Sequence, residues 1–230
     1  MLWLAPLLVL FTLAAGAACG WLKTRRGART GDTRKLFHAL IFVAAAVLSV
    51  TLGVGAVNLL GGVLALYVIG VVSRGDGNLF FEGIARETDA PRRSLYVIVP
   101  FVATALGGIA TTALFGAYSA VGFAVTGFGD ALAEPIGTRW GRHRFRVPSL
   151  GGCCTYRSLE GSAAVLVGSF AACALVLWVH PAHLIESAAS IIVAAFFVAL
   201  VSCLVEAVSH HGIDNFTLQI AASGVAWTLR

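Results

Sequence analysis

The chain has 230 residues, 58% of them hydrophobic and 12% charged, with 16 Lys/Arg against 11 Asp/Glu and a formal net charge of +5. Soluble domains average about a quarter charged residues, and the mean hydropathy of +0.88 excludes an ordinary water-soluble domain. The composition is that of an integral membrane protein.

Apolar runs at Leu2–Leu22, Leu36–Leu52, Ala56–Val72, Leu95–Phe115, Ala117–Gly137, Gly161–Val179, Leu184–Ser209 and Phe216–Leu229 each approach the roughly 20 residues that a bilayer core requires. They predict an all-α polytopic bundle of about eight transmembrane helices, forming a single domain over residues 1–230. The second and third runs stand close enough for a tight helical hairpin, and the last, the shortest, is of re-entrant length. No run alternates with period 2 over ten residues, which argues against an outer-membrane barrel. No positive charge precedes the first run and a basic cluster follows it. That is the pattern of a retained span with its N-terminus outside rather than of a cleaved signal.

The basic residues lie in alternate loops. Lys23–Lys35 holds six, Ser73–Ser94 four and Thr138–Glu160 five, whereas the loops near Gly53, Gly116 and His180 hold none. Eight spans put all three basic loops on one side, cytoplasmic by the positive-inside rule, with both termini opposite. The basic balance is therefore topology plus whatever anion the loops hold, and it calls for no nucleic acid. Cys19, Cys173 and Cys203 fall singly in spans and Cys153–Cys154 sit side by side in a loop, so neither a disulfide framework nor a zinc spacing is present.

The polar residues that reach the basic side come in four clusters. In the first, Asp32 or Thr33 can cap a helix whose opening turns carry Arg34, Lys35 and His38 on one face. Cations at a helix N-terminus oppose its dipole, so an anion is expected beside them. Arg25, Arg26 and Arg29 read as anchors. The loop from Arg74 to Arg93 balances four basic against four acidic residues and reads as a solvated surface segment, with Arg86 and Glu87 as the residues in it that could contribute to a site.

The second cluster lies in the stretch from Gly127 to Gly161. Asp130 and Glu134 are one helical turn apart, and Gly137 and Gly141 continue their row. Pro135 should kink that helix and release backbone groups where the carboxylates sit. Arg139, Arg142, Arg144, Arg146 and Arg157 follow. Carboxylates facing guanidiniums suit Mg²⁺ and a polyphosphate, because Mg²⁺ takes one or two protein carboxylates plus substrate phosphates and arginine forks match phosphate oxygens. Arg157 with Glu160 and Gly161 forms the third cluster. In the fourth, Glu206 lies about a turn inside its span, Gly212 can close that helix, and Asp214 or Asn215 can cap the next. A single site on the cytoplasmic face accounts for all four, while His180, His183 and Glu186 belong to a turn on the other side.

These residues resemble the polyprenol kinase family, which includes dolichol kinase, phytol kinase and the CTP-dependent diacylglycerol kinase. Arg34-Lys35-Leu36-Phe37-His38 matches an RKxxH opening, and Gly129-Asp130-Ala131-Leu132-Ala133 with Gly137 and Gly141 matches GDxxAxxxGxxxG. Arg157-Ser158-Leu159-Glu160-Gly161-Ser162 resembles K-[ST]-x-E-G-[ST], and Glu206 with Gly212-Ile213-Asp214-Asn215 resembles the C-terminal element. The order covers Lys23 to Asn215. Arg157 departs from the family's Lys, and Gly151-Gly152-Cys153-Cys154-Thr155 matches no family pattern.

The resemblance implies transfer of the γ-phosphate of CTP to the hydroxyl of a membrane-embedded lipid alcohol, be it phytol, a longer polyprenol or diacylglycerol. It implies Mg²⁺ on Asp130, with Glu134 or Asp214 second, and phosphate on Arg34, Lys35 and Arg157. Glu160 would orient one of them or the metal. Gly129, Gly137, Arg139, Gly141, Ser158, Gly161 and Asn215 would line the nucleotide site, and the general base stays open among Asp214, Glu206 and His38. No GxxxxGK[ST] loop is present, so side chains and kinked-helix backbone must hold the phosphates. A phosphatidate cytidylyltransferase has a similar GD segment, but its KDxG and GGxxDRxD signatures are missing here. A transporter of an anionic solute would call for midplane charges and paired broken helices.

Overall fold

The computed structural model describes residues 2–147, 155–210 and 212–230. Its helices are α1 (Ala5–Arg26), α2 (Thr30–Leu52), α3 (Val54–Arg74), α4 (Leu79–Ile84), α5 (Arg93–Phe115), α6 (Ser119–Val125), α7 (Ala131–Trp140), α8 (Leu159–Val179), α9 (Ala188–Val208) and α10 (Asp214–Thr228). A π-wound turn, Thr126–Asp130, joins α6 to α7. The fold is an all-α membrane-type bundle. Among the described residues one ribbon pairs β1 (Arg144–Val147) antiparallel with β2 (Thr155–Ser158), Arg144 opposite Ser158.

Among the described residues six helical stretches are long and apolar enough to cross a membrane: α1, α2, α3, the 48 residues of Arg93–Trp140, α8 and α9. The expectation of about eight spans holds for α5 and α6–α7, two helices of one apolar stretch that turn back at Gly116, whose φ of 57° is left-handed and suits glycine, and it differs at the last helix. α10 has 15 residues, about 22 Å at ~1.5 Å per residue, short of a ~30 Å hydrocarbon core. It is buried instead. Gly107 of α5 and Gly122 of α6 both close on Gln219, where an added Cβ would lie 2.6 Å from the amide nitrogen and 2.7 Å from the backbone oxygen. Small residues of this kind let membrane helices approach closely.

The charge-free turns gather at one end. Leu4, Leu8, Ala56, Leu60, Tyr118 and Ile185 share one buried cluster, and the Tyr118 hydroxyl donates to the Leu184 carbonyl at 2.7 Å. The basic loops meet at the other end, where Lys23 pairs with Glu87 and Arg139 with Asp32 at 2.7 Å. The Lys23 ammonium holds the Glu87 carboxyl down to about 2.

The balanced loop after α3 is not the solvated segment its charges suggested. Its short helix α4 buries Phe81 to 1% exposure. Asn78 caps it by accepting from Phe80 N at 3.1 Å, and Arg93 clamps it by donating to Glu82 at 2.8 Å and to the Ala85 carbonyl at 2.7 Å. Gly20 of α1 and Gly83 of α4 touch backbone to backbone: a Cβ on Gly83 would stand 2.7 Å from Gly20 N. Cys153–Cys154 and the segment from Gly151 lie outside the described residues, as does His211.

This contact makes a prediction. Gly83→Ala should lower the thermal midpoint in detergent by an amount equivalent to roughly 1–3 kcal/mol of overpacking, whereas Gly61→Ala, with nothing within 4 Å of its Cβ position, should leave it unchanged or slightly higher. Equal midpoints for both variants would mean that α4 does not dock on α1.

Candidate active site

α2 begins earlier than its sequence suggested. Arg29 occupies the N-cap without a side-chain bond, and the helix runs from Thr30. Asp32 and Thr33 are thus inside it, Asp32 bound to Arg139 and Thr33 donating to the Gly83 carbonyl at 2.7 Å. The shift leaves Arg34, Lys35 and His38 on one face, now in the second and third turns, directed at the strand of helix that carries Asp130.

The irregularity of that strand is the π-wound turn ending at Asp130, one turn ahead of the expected kink at Pro135. Proline in a helix interior gives no N–H to the preceding turn and crowds its carbonyl, and π turns of this kind recur at functional sites. Asp130 is 2% exposed. Its Oδ2 lies 2.6 Å from Lys35 Nζ and 3.4 Å from His38 Nε2. His38 Nε2 is also 3.0 Å from the Thr126 carbonyl oxygen. A carbonyl only accepts, so that contact assigns the ring proton to Nε2 and leaves Nδ1 as the acceptor of a neutral ring.

Glu134, a turn further on, accepts from Arg34 at 3.2 Å and from Arg86 in a close ion pair. Gly31 gives it room, since a Cβ there would come within 2.6 Å of Glu134 Oε1. Burial and the adjacent Arg34 lower the Arg86 guanidinium from its ordinary value while Glu134 pulls it back, and an arginine so placed stays charged. On the other wall, Arg157 spreads its fork over two carboxylates, Nη1 at 2.8 Å from Glu206 and Nη2 at 3.2 Å from Asp214. Ser158 caps α8, its Oγ accepting from Gly161 N at 3.1 Å.

These groups enclose a cavity of about 210 Å³. Of the residues singled out in the sequence, Arg34, Lys35, Asp130, Glu134, Gly137, Arg157, Ser158, Gly161, Glu206 and Asp214 line it. The rest are placed elsewhere. Gly129 packs on α8, where a Cβ would meet Ser169 Oγ at 2.3 Å, and Gly141 closes on Gly137 O and Ser158. Arg139 is taken by Asp32, and Glu160 by His143 at 2.9 Å on the exposed side. Asn215 gives its amide to Thr104 Oγ1 at 2.9 Å, and with His38 it lines a neighbouring groove instead. Arg86, Arg144 and Tyr156 also line the cavity, with Ala133, Thr138 and Ser162. Arg144 and Tyr156 arrive on the β ribbon, which no apolar periodicity announced.

Five cations and four carboxylates therefore face one small space. Such a cavity is below the ~300 Å³ of a drug-sized ligand site, and it suits the phosphate end of a ligand better than a whole nucleotide. Among the described residues no three His, Cys, Asp or Glu side chains gather as a resident metal would need. Each carboxylate already faces a cation. The donor set instead fits an ion that arrives on phosphate oxygens and asks for one or two carboxylates.

Comparison with known proteins finds a partial similarity for this chain. Over 110 residues, 48% of the chain, it is 34% identical to a phytol kinase from Synechocystis sp.. The match covers 43% of that enzyme, so the chain spans less than half the length of the curated relative it matches. No family model matches, and no solved structure matches. The similarity is to a phytol kinase over part of each chain.

The buried pair at the centre yields a double-mutant cycle. Lys35→Met and Asp130→Asn should each destabilise the detergent-solubilised protein, the lysine change by about 3–5 kcal/mol because it strands a buried carboxylate. The double variant should lose clearly less than the sum, with coupling near the upper end of the ~0.5–3 kcal/mol range. Additive losses in denaturant titrations would show that the two side chains do not pair.

Proposed function

We propose that the protein is an integral-membrane kinase that moves the γ-phosphate of a nucleotide to the hydroxyl of a membrane-embedded lipid alcohol. The observation that carries the reading is the convergence of Arg34, Lys35, Arg86, Arg144 and Arg157 with four carboxylates at the end of the bundle that holds the basic loops, in a chain similar to a phytol kinase over about half its length. Phosphoryl transfer asks little covalent chemistry of a protein. It asks for positioning and for positive charge around the equatorial oxygens, and the cavity offers both.

In this reading Arg34, Lys35 and Arg157 bind phosphate oxygens, aided by the N-terminal turn of α8 behind Ser158. Asp130 and Asp214 are the carboxylates for Mg²⁺, which on phosphate would neutralise developing charge. Glu134, held between two guanidiniums, serves to fix Arg34 and Arg86 rather than to ligate. CTP as the donor rests on the family resemblance. So does the acceptor class, phytol, polyprenol or diacylglycerol. The cytoplasmic side is taken to be that of the basic loops, with both termini opposite.

A phosphatidate cytidylyltransferase and an anion transporter remain the contrasting outcomes. Purified protein incubated with CTP labelled at either the α or the γ position, Mg²⁺ and mixed lipid alcohols separates them. Expected is γ label in the lipid, with CTP outcompeting ATP, GTP and UTP. An α label in lipid with released pyrophosphate would indicate cytidylyl transfer, and no turnover would remove the enzyme reading.

Asp130→Asn tests the site itself. Asn keeps the shape and one carbonyl oxygen but not the charge. Specific activity per folded, monodisperse molecule should fall about a thousandfold or more, and added Mg²⁺ should restore little. Near wild-type activity of the folded fraction, beside a lowered melting temperature, would reduce Asp130 to a structural partner of Lys35.

A further inference from the structure

A second hollow adjoins the polar cavity and shares Arg34 with it. It is an apolar groove of about 100 Å³ between α2, α3 and α5. Phe37 and Ile41 of α2, Leu64 and Val68 of α3, and Val97 and Phe101 of α5 form its walls. Its polar lining is Arg34, shared with the cavity, and His38 on α2, with Tyr96 and the Thr104–Asn215 pair on the α5 side. On the faces next to the groove, Ile69 of α3 and Ile98 and Val102 of α5 are exposed. In a membrane-spanning helix such residues face lipid, so the groove runs between lipid-facing residues of the two helices.

We infer that this groove holds the hydroxyl-bearing end of a single-chain lipid alcohol, delivering its oxygen to the edge of the polar cavity beside His38 and Arg34. The inference rests on the kinase reading for its consequence, though not for its geometry. Three observations select the occupant. The walls are hydrocarbon and adjoin the bilayer, so the ligand is apolar and enters from the membrane. His38 Nε2 is engaged by Thr126 and Asp130, which leaves Nδ1 as the ring's acceptor, and an acceptor calls for a hydroxyl. The volume is below the ~150 Å³ of an apolar cavity that admits one benzene ring. It takes the first few carbons of one chain and leaves no room for a glycerol carrying two. The remainder of the chain lies in the bilayer, where its length is unread.

Photolabelling tests this without turnover. A single-chain C16 alcohol bearing a diazirine near the hydroxyl end is added, without nucleotide, to the protein in phosphatidylcholine nanodiscs and irradiated. Label should concentrate on Leu64, Val68, Val97 and Phe101. Excess unlabelled phytol should cut it at least tenfold, while dioleoylglycerol at the same concentration should not. Val68→Trp and Val97→Trp fill the groove from different helices. In whichever variant keeps the wild-type melting temperature, labelling should fall about tenfold or more, and the KM for alcohol should rise with little change in the KM for nucleotide.

Label spread over Leu66 and Ile69 without competition would mean ordinary bilayer contact and overturns the groove. Equal competition by dioleoylglycerol overturns the single-chain selection. Competed label in the groove together with absent phosphoryl transfer keeps the lipid site and sinks the kinase reading. Phosphoryl transfer with unplaced label does the reverse.

Discussion

A carboxylate at 2% exposure in a bilayer-spanning helix is tolerable only beside a cation, and Asp130 has Lys35 at 2.6 Å. Desolvating both groups costs several kcal/mol each, and a good contact does little more than repay it. The pair is therefore better understood as a register device than as a source of stability. It fixes α2 against the π-wound turn, and the glycines on either side of Phe128 let that turn slot between neighbours. A Cβ on Gly127 would meet Phe42 Cβ at 2.9 Å on the α2 side, and one on Gly129 would meet Ser169 on the α8 side. Side chains at those two positions would push Asp130 away from Lys35. Once the register is set, Glu134 falls one turn along, within reach of Arg34 and Arg86.

Charge then propagates outward by alternation. Lys35 faces Asp130, Arg34 and Arg86 face Glu134, and Arg157 faces Glu206 and Asp214. Each of these four cations is held by an acid of the protein, and the fifth, Arg144, donates to the Gly141 carbonyl at 3.4 Å, so an incoming phosphate meets a preorganised and largely engaged set. A ligand that brings its own divalent ion exchanges partners on both sides, its phosphate oxygens taking guanidiniums and its metal taking carboxylates. The net charge changes little, which is the cheap way to move a polyanion into a low-dielectric space. Arg157, standing where the resembling family has Lys, suits this arrangement because its planar fork holds two separated carboxylates at once, a geometry that a point-like ammonium does not share.

Much of this was legible because bilayers punish stray charge. Residues such as Asp130, Glu134 and Glu206 stand out inside apolar runs, and the spacing of Arg34, Lys35 and His38 fixes their common face without reference to any partner. What failed were segments governed by tertiary contact. α4 is six residues long, too short to show a period, and its docking depends on Gly20 and Gly83 meeting across distant helices. Arg86 looked like one charge in a balanced loop because only folding brings it to Glu134. The β ribbon and its Arg144 have no periodic signal in a chain dominated by helices. α10 read as a span because its composition is apolar, although its length is that of a buried strut.

The glycine row illustrates how one pattern serves two ends. Gly137, Gly141 and Gly161 read as a cradle for a ligand, yet a Cβ on any of them would strike Ser158 Oγ or the facing backbone within 3.2 Å. Their first effect is to bring α7 onto the start of α8. That approach puts the first turn of α8 against the cavity, with Ser158 capping it and Arg157 immediately ahead of it. A helix N-terminus carries about half a positive charge. The acid that could have answered it, Glu160, turns outward to His143, so the dipole adds to the field of five cations instead of being cancelled locally. Close packing by glycine and anion binding at the helix end are then one construction: the absence of side chains on α7 is what lets the positive end of α8 reach the place where phosphate is needed.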